Sequence, residues 1–132
     1  DVDSSLSQLE QLIAEEAPKG ALIVGGFSQG GAIAQELMHL PIADRIQGII
    51  CIGTRLVRPM DLRLRLGELD RKRMFWMHGK RDVRVSLEDG FAVASLFEGC
   101  GWAIEMIEHD KGHMIPTEHH EALKEWLVTF CD

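Results

Sequence analysis

The chain has 132 residues, of which 45% are hydrophobic and 27% are charged, a composition typical of a single globular domain over residues 1–132. Its 21 acidic and 14 basic side chains leave a formal net charge of −7, which argues against nucleic acid as the main partner. No apolar run is long enough to span a membrane.

Apolar side chains at helical spacing predict an amphipathic helix over residues 4–17. The apolar run at 21–25 predicts a strand buried on both faces, and a helix follows over residues 29–40 until Pro41 ends it. A second buried strand is predicted at 47–53.

The second half of the chain continues the alternation. A short helix is predicted around 60–66, followed by a strand at 73–78. Ser86 is expected to cap a helix that extends to about residue 98. A strand at 102–107 and a last helix capped by Thr117 complete the pattern. Such alternation predicts an α/β fold, a parallel sheet with helices on both faces and functional loops at the carboxyl ends of its strands.

The three cysteines, Cys51, Cys100 and Cys131, are widely spaced and form no Cys-x-x-Cys pair. We interpret them as free thiols of a reducing compartment, which predicts a cytoplasmic location.

The strongest motif is Gly-Phe-Ser-Gln-Gly-Gly at 26–31, between a predicted strand and a predicted helix. This is the context of a nucleophile elbow, in which a tight turn exposes Ser28 and the backbone N–H of Gln29 can stabilise an oxyanion. Gly26 and Gly30 are expected to allow the close backbone approach. Glycine-rich turns also bind phosphate, but the spacing here matches neither G-x-G-x-x-G nor a P-loop.

A serine nucleophile needs a base and an orienting acid, which follow it in the order acid, then histidine, in an elbow-type hydrolase. Asp82 follows the predicted strand 73–78, and His113 follows the predicted strand 102–107. The alternatives are an ordinary turn aspartate and a surface histidine. Arg81 and Arg84 are expected to favour the ionised form of Asp82, unless both point to solvent.

Several other polar residues are also candidate site residues. His109 and His113 have a helical metal-ligand spacing, but Gly112 and the turn-like residues before it argue against a helix, so we expect no metal there. Acyl transfer by a serine, a histidine and an aspartate needs no organic cofactor, and we expect none. His78 is interpreted as a structural residue, and His119 and His120 as exposed. Most Lys and Arg residues lie within 55–84, which indicates either a solvated basic segment or a rim that attracts anionic substrates.

Three motifs together resemble the phospholipase/carboxylesterase family of α/β-hydrolases, which includes acyl-protein thioesterases and lysophospholipase-like enzymes. They are the motif at 26–31, His-Gly-x-x-Asp at 78–82 and Gly-His-x-Ile-Pro at 112–116. The resemblance implies an α/β-hydrolase fold and a triad of Ser28, Asp82 and His113 that cleaves carboxylic esters or thioesters.

The same resemblance implies a substrate pocket that includes Phe27 and Leu56, with Thr54 and Arg55 in place of the family's small residues. It also implies further strands before the helix at 4–17, which pair beside strand 21–25 and supply a second oxyanion donor. The sequence does not contain them, so we expect the C-terminal portion of the fold. An exposed strand 21–25 would then favour homo-oligomers.

The sequence thus predicts a serine hydrolase that acts on a small-molecule ester or thioester or on an acylated protein. The alternatives are an inactive binding or assembly module that keeps the triad, and a dienelactone-hydrolase-like or peptidase-like relative. The dienelactone hydrolases usually carry Cys where this chain has Ser28.

Overall fold

A computed structural model describes residues 22–130, which form a sheet of four parallel strands in the order β1-β2-β3-β4. The strands are β1 (Leu22–Phe27), β2 (Ile46–Ile52), β3 (Arg73–Gly79) and β4 (Ala103–His109). The α-helices are α1 (Gln29–Leu37), α2 (Pro59–Glu68), α3 (Leu87–Gly99) and α4 (His120–Val128). The predicted helix at 4–17 lies outside the described residues.

Three helices, α1, α2 and α3, cover one face of the sheet. Each connects a strand to its immediate neighbour, and right-handed crossovers between sequential neighbours place the helices on the same side. Their apolar side chains pack with those of β2 and β3 in the larger core cluster, which includes Leu37, Ile49, Leu62, Trp76 and Phe97.

Helix α4 covers the opposite face. Its Trp126 packs in a second cluster with Ile52, Phe75 and Met77. Successive residues of β3 therefore alternate between the two cores, which explains why this strand is a continuous apolar run. The prediction of a parallel sheet with helices on both faces is confirmed.

Strand β1 differs from its prediction in length and burial. It continues to Phe27, and its side chains are half-buried or exposed rather than buried on both faces. The physical reason is that β1 lies at the edge of the described sheet: within residues 22–130 it pairs with β2 alone. In that same part of the chain, no helix is long and apolar enough to cross a membrane.

Two helix ends also differ from their predicted positions. Helix α1 ends at Leu37 rather than near residue 40, because the N–H groups of His39 and Leu40 bond three residues back, at 3.1 Å each, and tighten the chain before Pro41. The predicted cap at Thr117 is wrong, since Thr117–His119 form a 3₁₀ turn and α4 begins at His120.

The predicted cap at Ser86 is confirmed. Its Oγ accepts a hydrogen bond from the Asp89 backbone N–H at 3.1 Å, which satisfies one of the free donors of the first turn of α3.

Candidate active site

The loops that follow the four strands meet at one edge of the sheet. Ser28 follows β1 directly, Thr54 lies two residues beyond β2, and Asp82 lies three residues beyond β3. His113 lies four residues beyond β4. Parallel strands end at a common edge, so side chains that are distant in sequence converge there.

Ser28 has a strained backbone. Its φ of 54° and ψ of −108° lie outside the regions that L-residues usually occupy, at a cost of about 1–3 kcal/mol. Surrounding bonds hold it there, because its N–H donates to the Ile52 carbonyl at 2.6 Å. Its own carbonyl accepts from the N–H groups of Gly31 and Ala32 at 3.1 and 3.2 Å. The turn thus projects the serine from the junction of β1 and α1.

Thr54 supports the elbow, a role that the sequence did not indicate. Its buried hydroxyl lies 3.0 Å from the Ser28 carbonyl and 3.2 Å from the Ile52 carbonyl, and so can donate to either. It therefore ties the elbow to the end of β2. The signal in the sequence was a polar residue just beyond a buried strand, but only the structure identifies its partners.

The close backbone approach that we expected at Gly26 and Gly30 occurs instead at two neighbouring glycines, so that expectation is wrong. A Cβ at Gly26 or Gly30 would meet neighbouring backbone atoms at 3.6 Å, which is ordinary contact. The close approaches occur instead at Gly25, where a Cβ would collide with the Ile50 backbone, and at Gly31, where it would collide with the Thr54 side chain. The elbow is packed most tightly against β2 and the loop after it.

His113 lies within hydrogen-bond distance of both Asp82 and Ser28. The His113 Nδ1 atom is 2.6 Å from Asp82 Oδ2, and its Nε2 atom is 3.0 Å from Ser28 Oγ. A carboxylate only accepts, so Nδ1 carries the proton and Nε2 accepts from the serine hydroxyl. The Phe27 ring packs against the imidazole with centroids 4.6 Å apart, which limits its rotation.

The carboxyl group of Asp82 is buried and fully engaged. While Oδ2 faces His113, Oδ1 accepts the backbone N–H groups of Arg84 and Val85, both at 2.8 Å. Burial alone would raise its pKa, but the Val85 N–H, His113 and the Arg84 N–H together hold the pKa below its usual range.

The expectation that the Arg81 and Arg84 side chains favour ionisation is therefore wrong. Both residues are exposed, and Arg84 acts through its backbone N–H rather than through its guanidinium. The stabilising donors are the backbone N–H groups of Arg84 and Val85, which the turn at residues 82–85 directs at the carboxylate.

An open cavity of about 330 Å³ lies beside Ser28. Its lining consists of Ser28, Gln29, Ala32, Gly53, Thr54, Arg55 and Val85. Gln29 is the first residue of α1, so its N–H has no acceptor within the helix and is available to an oxyanion. Neither Phe27 nor Leu56 lines this cavity. Phe27 contacts His113, and Leu56 packs on the larger core cluster, so their part in substrate binding stays a prediction.

Two of the other histidines, His78 and His109, form hydrogen bonds that support the structure around the site. His78 is fully buried, and its Nε2 donates to the Val85 carbonyl at 2.8 Å. His109 Nδ1 accepts from the Lys111 N–H at 3.0 Å, and burial lowers the pKa of this imidazole. His119 is half-exposed, with its ring 6.1 Å from that of His109, and His120 is exposed. Over residues 22–130, no group of three or more His, Cys, Asp or Glu residues is arranged to hold a metal ion.

Both cysteines in the described part of the chain are free thiols. Cys51 is buried, which raises the pKa of its thiol to about 12, and Cys100 is half-buried. Cys131 lies outside the described residues.

Comparisons with solved structures give the wider fold. The chain superimposes on Arabidopsis thaliana SOBER1 with a TM-score of 0.79 and 18% identity, covering 99% of this chain and 65% of that one. The Bacillus cereus carboxylesterase superimposes with a TM-score of 0.78 and 20% identity, over 98% of this chain and 61% of that one. Zea mays acyl-protein thioesterase 2 superimposes with a TM-score of 0.76 and 19% identity, over 97% of this chain and 64% of that one.

These structural similarities show an α/β-hydrolase fold. The chain spans less than two thirds of the length of each of these neighbours. No curated protein matches the sequence significantly. The family profile described as phospholipase/carboxylesterase, however, matches residues 1–131. The chain therefore belongs to the phospholipase/carboxylesterase family of α/β-hydrolases.

Proposed function

We propose that this chain is a serine hydrolase that cleaves carboxylic esters or thioesters through an acyl-enzyme on Ser28. The observation that carries the proposal is the continuous contact from Ser28 Oγ to His113 to Asp82, at 3.0 and 2.6 Å. Family membership and neighbours named as a carboxylesterase and a thioesterase support the same reaction class.

The mechanism follows from the hydrogen bonds. Ser28 Oγ attacks the carbonyl carbon while His113 Nε2 takes the hydroxyl proton, and Asp82 stabilises the resulting imidazolium. The Gln29 N–H donates to the oxyanion. The carbon–oxygen or carbon–sulfur bond then breaks, and the leaving group takes the proton from His113. Water attacks the acyl-enzyme by the same route and releases the acid.

Replacement of the nucleophile tests this proposal. Ser28→Ala is expected to lower the turnover of p-nitrophenyl butyrate about 10³-fold or more. Ser86→Ala is the matched control, since it removes a serine hydroxyl that only caps α3 and costs about 1 kcal/mol of stability. Equal turnover by wild type and Ser28→Ala would refute the role of Ser28.

The second candidate is a binding or assembly module that keeps the triad without turnover. It is favoured by Gln29, the one oxyanion donor identified in residues 22–130. Loss of one such donor typically costs about 10²–10³ in rate. Labelling with a fluorophosphonate probe separates the two candidates, because only an activated serine reacts.

We also propose a substrate class and a cellular location. The substrate is a small-molecule ester or thioester or an acylated protein, and a panel of esters, thioesters and peptides distinguishes these from dienelactone-hydrolase-like and peptidase-like activity. The free thiols Cys51 and Cys100 support a cytoplasmic location, which cell fractionation tests.

A further inference from the structure

The cavity beside Ser28 contains one charged side chain, that of Arg55. The other lining residues are Ser28, Gln29, Ala32, Gly53, Thr54 and Val85, which carry no formal charge. Asp82, the acidic residue of the site, is buried behind this lining with both oxygens engaged by His113 and the backbone. A substrate group in the cavity therefore meets an uncompensated positive charge.

Arg55 is fixed at both ends. Its carbonyl accepts from Gln35 Nε2 at 3.0 Å, and Gln35 Oε1 in turn accepts the Val57 N–H at 3.0 Å. Gln35 is completely buried, so this backbone anchor is firm. One guanidinium nitrogen of Arg55 donates to the Arg84 carbonyl at 2.8 Å. An arginine restrained in this way loses less conformational freedom when it binds an anion.

Most other basic residues of the 55–84 segment have structural partners. Arg58 forms an ion pair with Glu36 at 2.6 Å, and Arg65 donates to the Met38 carbonyl at 2.7 Å. Lys72 is buried against the Ala43 carbonyl. These three cations are thus explained by packing rather than by an anionic substrate. Among the described residues, Arg55 forms no ion pair with a carboxylate.

We propose that Arg55 selects substrates whose acyl group carries a second, negatively charged group, such as the half-esters of dicarboxylic acids. The guanidinium presents several donors, and a carboxylate accepts two of them side by side. This inference rests on the proposed hydrolase function and adds a substrate class to it.

The test compares two esters of equal acyl length, mono-p-nitrophenyl glutarate and p-nitrophenyl valerate. The full-length chain is expected to show a higher kcat/KM for the glutarate ester. Arg55→Gln should lower that value about tenfold and change the valerate value less than about twofold, because only the charged substrate loses a partner. Since Arg55 is exposed, the preference should also shrink when the ionic strength rises from about 0.01 to about 0.5 M.

Arg63→Gln is the matched control, because it removes the same charge from an exposed position on α2 that does not line the cavity. It should leave the ratio of the two kcat/KM values unchanged. An equal loss for both esters in Arg55→Gln would overturn the proposal, since Arg55 would then support a step common to both. An unchanged ratio in Arg55→Gln would overturn it as well.

Failure of the hydrolase function is distinguishable from failure of this inference. If neither ester is turned over, the proposed function fails, and titration of the folded chain with glutarate decides on Arg55. Binding that weakens in Arg55→Gln but not in Arg63→Gln supports the anion site. Binding that is absent, or equal in all three proteins, overturns it.

Discussion

Asp82→Asn is the substitution whose consequence the hydrogen bonds specify most closely. Asp82 Oδ1 accepts two backbone N–H groups, and Oδ2 accepts from His113 Nδ1. Asparagine offers one oxygen and one NH₂ group. If its oxygen keeps the two N–H groups of Arg84 and Val85, its NH₂ faces His113 Nδ1. That nitrogen must then accept, the proton moves to Nε2, and Nε2 can no longer accept from Ser28.

The expected loss of kcat is about 10³–10⁴-fold, the size found when a triad histidine is held in the wrong tautomer. Opposite rotation of the amide is no better, because the NH₂ group would then face two N–H donors at 2.8 Å and leave them unsatisfied, at a cost of about 1–3 kcal/mol each. The first orientation therefore lowers activity without any change in Ser28 itself, and the second is disfavoured because it costs stability.

The assay is the pH profile of kcat for p-nitrophenyl butyrate, with intact folding checked by circular dichroism. Asp110→Asn is the matched control, since this aspartate is exposed and its nearest cation, Lys80, is 3.7 Å away. A kcat for Asp82→Asn within about tenfold of wild type would refute the tautomer argument.

Stability should respond to pH through the same carboxyl group. The pKa of Asp82 is lowered in the folded chain, so the unfolded chain binds the proton more readily. This contribution to the free energy of unfolding is complete above the unfolded pKa of about 3.9 and is lost as pH falls through the lower folded value. Urea titrations should therefore show a smaller loss between neutral pH and the acid range in Asp82→Asn. Identical pH dependence in the two proteins would contradict this assignment.

Three further predictions concern packing and assembly. Gly31→Ala should destabilise the chain by about 1–3 kcal/mol in urea unfolding, because its Cβ would collide with Thr54, while Gly67→Ala, with nothing within 4 Å, should be neutral or stabilising. Equal effects of the two changes would contradict the packing at the elbow. Phe97→Ala removes a fully buried ring and should cost about 3–5 kcal/mol, so a loss below about 1 kcal/mol would contradict its place in the core. Light scattering should give at least the mass of a dimer if strand 21–25 pairs between chains, and a monomer mass would refute that proposal.

Strands β2 and β3 were predictable because burial on both faces leaves a local signature. The apolar runs that predicted β2 and β3 differ from the observed strands by about one residue at an end, within the usual scatter of such boundaries. The half-buried character of β1 was not predictable from its composition, since it depends on which strand pairs at its outer edge. The 3₁₀ turn at Thr117–His119 was missed because a threonine before a helix resembles a cap whether or not its side chain bonds.

The convergence of Ser28, Asp82 and His113 was predictable because each follows a strand that ends at the same edge of the sheet. The supporting contacts were not. The bonds of Thr54 to the elbow depend on how the loop after β2 folds back. The stabilisation of Asp82 by two backbone N–H groups depends on the turn conformation after β3, whereas the sequence indicated the neighbouring arginine side chains as the stabilising groups.

The most direct test of the account is to trap the acyl-enzyme. The full-length chain is mixed with excess p-nitrophenyl butyrate, quenched in acid within seconds, digested and examined by mass spectrometry. We expect a butyryl adduct on the Ser28 hydroxyl that is absent from Ser28→Ala and strongly reduced in His113→Ala, because His113 Nε2 is the group that accepts the serine proton. An adduct on another residue, or ester turnover that persists in Ser28→Ala without one, would contradict it.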